Sequence, residues 1–232
     1  MRAMKIKFSH TYSKKRGYPH FVIGIDEAGR GPLAGPVIVA GTKIATRDKR
    51  HATKLFRNIR DSKKLTARQR EEWFQRLTVH PRIEWAVAKV WPRTIDRINI
   101  ARATNLGVLR VYKKLNKVAS QPSLKNKYFT VRASLSRAQS REAHTLLDGS
   151  LKLPQHISHE VIIKGDEKIP IIAAASIIAK VTRDRTMQRL HKKYPQYRFD
   201  VHKGYGTKSH RKLIKKFGQS AVHRKSFKVR NK

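Results

Sequence analysis

Cysteine is missing altogether from the 232 residues, which excludes a disulfide framework, a thiolate zinc site and a cysteine nucleophile. Long hydrophobic runs are missing too. The longest, Ile169 to Ala179, is broken by Pro170 and Ser176 and is too short to cross a bilayer. The N-terminal stretch MRAMKIKFSH is basic but has no continuous apolar core, so it does not read as a secretory signal. A cytoplasmic protein is the default expectation, with an organelle-targeting leader the lesser alternative. Acidic side chains are scarce: 15 Asp and Glu stand against 54 Lys and Arg, a formal charge of +39. Self-repulsion on that scale points to a polyanionic partner, nucleic acid first and an acidic membrane surface second. Such charge also marks disordered chains. Here, however, 57 residues are Leu, Ile, Val or Phe, and they cluster, so a core can form.

What is present alternates between strand and helix patterns. Residues 1–19 read as a basic arm. Phe21–Ile25 predicts a short buried strand closed by a turn over 26–32, and Pro36–Ala45 the next strand, the two forming a hairpin or bulged pair. Thr66 is placed to cap a helix over Ala67–Leu77, with Gln69 three residues on. Ile83–Val90 predicts a strand. Ile95–Leu115 predicts one long helix with Ile98, Ala101, Asn105, Val108 and Tyr112 near one face. Residues 116–143 are rich in Ser, Lys, Arg and Gln and read as a solvated insertion. Two short strands follow, Leu146–Gly149 and Val161–Asp166, each ending in Asp beside Gly. A long helix over Ile171–Tyr194 comes next, and the basic last forty residues predict a helix and a tail. Strands alternating with helices argue for an α/β architecture, a mixed central sheet with covering helices.

In so basic a chain the few carboxylates are informative. Asp26, Asp148 and Asp166 each fall just after an apolar run, and strand ends are where open α/β sheets build sites. Any one Asp beside Gly is more often a turn residue. Three of them with Glu27 adjacent are evenly balanced between turns and a site. Carboxylates gathered on a phosphate-binding protein need positive charge between them and the nucleic acid. Hard divalent cations supply it, since they bind carboxylates, water and phosphate oxygens. Two such ions are a known arrangement for phosphodiester hydrolysis.

Read as strings, the residues decide the matter. Gly24-Ile25-Asp26-Glu27-Ala28-Gly29-Arg30-Gly31-Pro32-Leu33-Ala34-Gly35-Pro36-Val37 closely resembles the signature of the type 2 ribonucleases H, in particular the bacterial ribonuclease HII branch. Asp61-Ser62-Lys63-Lys64-Leu65, Ile95-Asp96 with Ile98-Asn99-Ile100, Leu147-Asp148-Gly149, Lys164-Gly165-Asp166, Ala174–Arg185 and His202–Thr207 resemble further blocks of that family in the same order. His223–Phe227 closes the match. The resemblance implies a ribonuclease H-like fold with a C-terminal helical portion, in one catalytic domain over 20–227 followed by a short basic tail, 228–232. It implies an endonuclease that cuts the RNA strand of RNA–DNA hybrids and nicks 5′ of ribonucleotides embedded in duplex DNA, leaving 3′-OH and 5′-phosphate ends. The associated roles are primer removal and DNA repair, by a protein expected to act as a monomer away from membranes.

The same resemblance assigns residues. Asp26, Glu27, Asp148 and Asp166 match the catalytic carboxylates that hold Mg²⁺ or Mn²⁺, two ions during catalysis. Neighbours in a regular strand point to opposite faces, so Asp26 and Glu27 can share a site only if the strand ends or bulges there. Gly29, Arg30 and Gly31, with Tyr205, match the element that reads an RNA-to-DNA junction, where the 2′-OH is the distinguishing group. Lys63 matches a phosphate-contacting lysine, while Lys64 reads as solvated. Asp184, between Arg183 and Arg185, reads as an ion-pairing structural residue, its approach to the metal being the lesser alternative. His156, His159, His202 and His210 have no zinc spacing and read as surface or loop residues. The insertion and the high charge depart from the family pattern and predict extra, salt-sensitive phosphate binding. Two rivals remain: a non-catalytic RNA-binding protein of ribosomal type, which leaves the carboxylates unexplained, and the ribonuclease HIII branch, whose usual extra N-terminal domain the short arm does not accommodate.

Overall fold

A computed structural model describes residues 21–45, 55–59, 62–117 and 143–229. The expected arm over 1–19, all but the ends of the expected insertion, and residues 230–232 of the tail lie outside them. The architecture is a five-stranded mixed sheet in the order β3-β2-β1-β4-β5. β1 (Phe21–Ala28), β2 (Val37–Ala45) and β3 (Glu84–Val90) form an antiparallel meander. β4 (Ala143–Asp148) and β5 (His159–Ile162) add to β1 in parallel.

Alternation along the strands divides the core. Val22, Ile38, Ala40 and Leu146 face one side of the sheet, and Ile23, Ile25, Val39, Ala86, Ala88 and Leu147 the other. The first face is covered by a long helix, Pro170–Lys193. Its Ala173-Ala174-Ala175 run is buried, and it seats so closely that a Cβ on Gly24 would lie 2.6 Å from the Ile171 carbonyl carbon. Thr42 Oγ1 donates to the Ile171 carbonyl at 2.8 Å. A helix over Ala67–Val79 packs outside it through Leu77, Trp73 and Phe74. Its start has the full capping box, with Gln69 N–H donating to Thr66 Oγ1 and Thr66 N–H to Gln69 Oε1. In chain order these helices are α5 and α1.

The other face is covered less simply than expected. The single helix predicted over 95–115 is two, α2 (Pro92–Ile98) and α3 (Ile100–Lys117). They break at Asn99, whose φ is 64° and whose side chain accepts from Arg102 N–H at 3.0 Å, capping the second helix. The break resets the helical phase. Val108, Val111 and Leu115 are buried on the sheet, whereas Ala101 is exposed and Asn105 and Tyr112 are only half-buried.

Two other expectations change. β1 does not end at Ile25 but continues to Ala28 in unbroken register with β2, Asp26 opposite Ala40 and Glu27 opposite Val39. The strand predicted to reach Asp166 stops at Ile162. Lys164 then takes a left-handed turn (φ 56°) into the short helix α4, Gly165–Lys168, which holds Asp166 in its first turn. Past α5 the chain forms α6 (Phe199–His202) and α7 (Lys208–Phe217), and then returns. What was expected as a tail crosses Leu33–Gly35, with Gly35 N–H donating to Val222 O and Arg224 N–H to Leu33 O, both at 2.8 Å. No helix among the described residues is long and apolar enough to cross a membrane.

Candidate active site

The parallel ladder between β1 and β4 closes at Ile25 opposite Leu147. Asp26 and Asp148 are the next residues on the two strands, so the register sets them side by side at the open end of the ladder. Beyond that point β1 has no β4 neighbour. Glu27 joins them there although it belongs to the opposite face of the strand: ligand-capable oxygens of Asp26, Glu27 and Asp148 all lie within 4.8 Å of one another. The expected strand end or bulge is therefore not needed, because the end of pairing on one side leaves the room.

Asp166 arrives by a different route. Gly165 and Asp166 N–H groups at the start of α4 donate to Asp148 Oδ1, at 2.6 and 3.4 Å, which draws α4 onto the end of β4. Gly165 permits this, since a Cβ there would stand 3.2 Å from the same Oδ1 and 2.7 Å from Ile172 Cδ1. The Asp166 carboxylate is buried beside the trio and pairs with Lys63 Nζ at 3.1 Å.

The charges work against each other. Burial raises the Asp26 carboxyl well above the usual range, and the charges of Glu27 and Asp148 add to it; Ser176 and the Glu27 N–H, which donates to Asp26 Oδ1 at 2.7 Å, act in the opposite sense. Glu27 is raised by burial and then by Asp148, against the pull of Arg30, whose guanidinium lies 3.6 Å from its carboxylate. Asp148 is raised by burial and by Asp166. Buried like charges in this number are destabilising unless a cation sits among them. Oxygen-only donors at this spacing suit a hard divalent ion, so the residues present fit the metal the sequence reading implied.

Of the remaining expected residues, Arg30 and Lys63 reach this cluster, through Glu27 and Asp166. Gly29 has φ 94°, Arg30 is half-buried, and Gly31 is exposed with open space around it. Tyr205 is 44% exposed, not a core aromatic. Lys63 is exposed, and Lys64, expected to be solvated, pairs with exposed Glu167 at 3.1 Å. Asp184 is an ion-pairing residue as expected, though its partner is Lys180 at 2.8 Å; Arg185 pairs with Glu71 and Arg183 is enclosed. The histidines need correction. His202 and His210 are buried with His223 in a network that holds Tyr205: His210 Nδ1 meets the Tyr205 carbonyl at 2.9 Å. Sequence reasoning also missed Ser176, which hydrogen-bonds to Ser62 at 2.9 Å and supports Asp26, and the buried Arg183 and Arg224. Ser176 lay inside the family block Ala174–Arg185 and in the apolar run of α5, and those were its signals.

Comparison with known proteins places the chain beside one family. The family model described as ribonuclease HII matches residues 23–230. Ribonuclease HII of Chlamydia trachomatis serovar A is 43% identical over 213 residues, covering 92% of this chain and 84% of that protein. Ribonuclease HII of Coxiella burnetii strain Dugway is 38% identical over 206 residues, 89% of this chain and 87% of that one. Among solved structures, the Archaeoglobus fulgidus ribonuclease HII, determined as a complex with PCNA, superposes with a TM-score of 0.66 at 26% identity, over 91% of this chain and 97% of that one. The ribonuclease H2 of Pyrococcus horikoshii superposes with a TM-score of 0.63 at 26% identity, over 90% and 94% of the two chains.

Proposed function

The chain belongs to the ribonuclease HII family, and from that premise we propose that Asp26, Glu27, Asp148 and Asp166 are its catalytic carboxylates. The family activity, endonucleolytic cleavage of RNA in RNA–DNA hybrids dependent on a divalent metal, is the activity of this protein. The observation that carries the residue assignment is the convergence of three carboxylates, Asp26 buried and Glu27 and Asp148 half-buried, within 4.8 Å at the Ile25–Leu147 end of the β1–β4 ladder.

In this reading Asp26, Glu27, Asp148 and Asp166 would together hold Mg²⁺ or Mn²⁺, two ions during catalysis. When bound, the ions supply the positive charge that activates the attacking water and stabilises the leaving oxygen. The chain does the rest. Asp148 is oriented by the Gly165 and Asp166 amides, and Asp26 by Ser176 and the Glu27 amide. Lys63 is exposed beside Asp166, where a substrate phosphate would pass. Gly29–Arg30–Gly31 and Tyr205 flank the cluster and meet the sugar edge of a ribonucleotide, giving cleavage on its 5′ side in duplex DNA. No separate acid–base pair is required.

The test is a labelled DNA duplex with one embedded ribonucleotide, incubated with wild type and Asp148→Asn in Mg²⁺, Mn²⁺ and EDTA, against an all-DNA control. A metal-dependent nick 5′ of the ribonucleotide, absent from the control and from the variant, is the expected result. Wild-type rates in the variant would remove Asp148 from the mechanism.

A further inference from the structure

Arg183 and Arg224 are the two largest fully enclosed side chains among the described residues, and among those residues neither makes an ion pair. A buried cation without a counter-charge costs several kcal/mol, so the acceptors the fold supplies are worth following. Arg224 Nη2 donates to the Gly29 carbonyl and Nη1 to the Arg30 carbonyl, each at 2.6 Å, while Nε donates to Gly35 O at 3.0 Å. Arg183 Nη2 donates to Lys203 O at 2.9 Å and, at 3.4 Å, to Ala34 O. Its guanidinium carbon stands 5.5 Å from the Tyr205 ring centroid. The Gly29 main chain rests directly on it: a Cβ at Gly29 would lie 2.0 Å from Arg183 Nε.

These acceptors are not scattered. They are main-chain carbonyls of the 29–35 turn, which follows directly on Asp26 and Glu27, and of Lys203, two residues before Tyr205. In a trans peptide the C=O of one residue and the N–H of the next lie in one plane and point in opposite directions. Arg224 draws the Gly29 and Arg30 carbonyls inward, and the same two peptide planes therefore carry the Arg30 and Gly31 N–H groups outward. Gly31 faces open space. Two adjacent amide donors are thus presented at the surface in a fixed direction, suited to an oxygen of a sugar or phosphate.

We propose that Arg224 and Arg183 are positioning residues for substrate recognition: Arg224 aims the Arg30 and Gly31 amides at the ribonucleotide, and Arg183 locks that loop to Tyr205. Neither guanidinium touches the substrate. The inference rests on the reading above that Gly29–Gly31 and Tyr205 meet the substrate. It extends that reading to two residues deep in the fold.

The experiment compares Arg224→Lys, Arg183→Lys, Tyr205→Ala and Leu77→Ala, with thermal melts and steady-state cleavage of the duplex carrying one ribonucleotide. Lysine keeps the charge but not the planar guanidinium, which in Arg224 meets three carbonyls from three separate nitrogens and in Arg183 sits over the Tyr205 ring. Leu77 is buried between α1 and α5, so its alanine variant matches the loss of stability without touching the loop. The expected result is a KM raised about tenfold in both lysine variants, with the melting rise on adding Mg²⁺ unchanged and with Leu77→Ala at wild-type KM. If Tyr205→Ala raises KM while both lysine variants stay within about twofold of wild type, the positioning role is wrong and the recognition reading survives. If Tyr205→Ala leaves KM unmoved, the recognition reading fails and takes the proposal with it. An equal rise in Leu77→Ala would reduce both arginines to structural residues.

Discussion

Mild acid should loosen the C-terminal part of the fold, because three histidines there are held neutral by burial in a network with no place for a second proton. His202, His210 and His223 are buried, the first two rings stacked at 4.2 Å. His210 Nδ1 faces the Tyr205 carbonyl, so it carries the proton, and Nε2 is left to accept from His223 Nε2 at 3.1 Å. His223 Nδ1 in turn accepts from Ser220 N–H at 3.0 Å. A second proton on either ring would set two N–H groups against each other. Burial first, and the neighbouring imidazoles, hold both His210 and His223 at about 4, against about 6.5 unfolded. The unfolded chain thus binds more protons between pH 6.5 and 4, and stability falls as pH falls through that window. From pH 8 to 5.5 the loss is about 1.4 kcal/mol per histidine, or roughly 3 kcal/mol for the two. In a chain of this size that lowers the melting temperature by about 6–12 °C. The raised carboxyls of Asp26, Glu27 and Asp148 act oppositely, since protonation in the folded state relieves their repulsion. The comparison must therefore be between wild type and the His210→Gln, His223→Gln double variant, each melted without metal at pH 8 and 5.5. The double variant should lose several degrees less on acidification. An identical acid loss in the two proteins would refute the neutral-network argument.

Three further outcomes follow from the same contacts. Asp148→Asn should abolish turnover yet melt, without metal, at or above the wild-type temperature, because the substitution removes one of the mutually repelling charges; differential scanning calorimetry alongside the nicking assay checks both halves. Gly29→Ala meets strain twice, from φ 94° and from Arg183 Nε 2.0 Å from the new Cβ. It should cost about 1–3 kcal/mol in a urea titration, whereas Gly31→Ala, with open space, should cost far less. Lys63→Met removes the exposed half of an ion pair whose carboxylate, Asp166, is buried, so stability should fall by about 1–3 kcal/mol. Hybrid affinity should weaken, and the slope of log affinity against log salt should shrink by about one phosphate contact. An unchanged slope would take Lys63 off the phosphate path.

The parts of the site legible in the sequence were those whose signal is local or whose residue type is rare. Four carboxylates stood out because only 15 acidic residues exist among 54 basic ones, and the blocks around them matched a family in order. The strands and α5 were legible from period and composition. Where local pattern misled, a tertiary contact had overruled it. The Val161–Ile163 run reads as a strand reaching Asp166, but Lys164 turns left-handed so that the Gly165 N–H can reach Asp148, a partner 17 residues back. Likewise Asn99 interrupts an unbroken helical pattern by capping the helix that follows it.

Buried polar groups were the illegible part, and for a physical reason. A hydrophobic stripe announces itself because every member must face the same way, which fixes a period. A buried arginine is defined by its acceptors, and main-chain carbonyls are present at every residue, so no side-chain pattern marks them. Arg224 looks like one more cation in His223-Arg224-Lys225; only the return of the chain across Leu33–Gly35 brings its guanidinium to the carbonyls of Gly29 and Arg30, 195 and 194 residues away. The histidines hide for the same reason, since His210 and His223 become each other's partner only once α7 and that returning segment pack together. The carboxylates proposed to hold the ions thus stood out by scarcity and were assigned by the family blocks around them, while Arg183 and Arg224, proposed to aim the main chain at the substrate, emerge only from the closed fold.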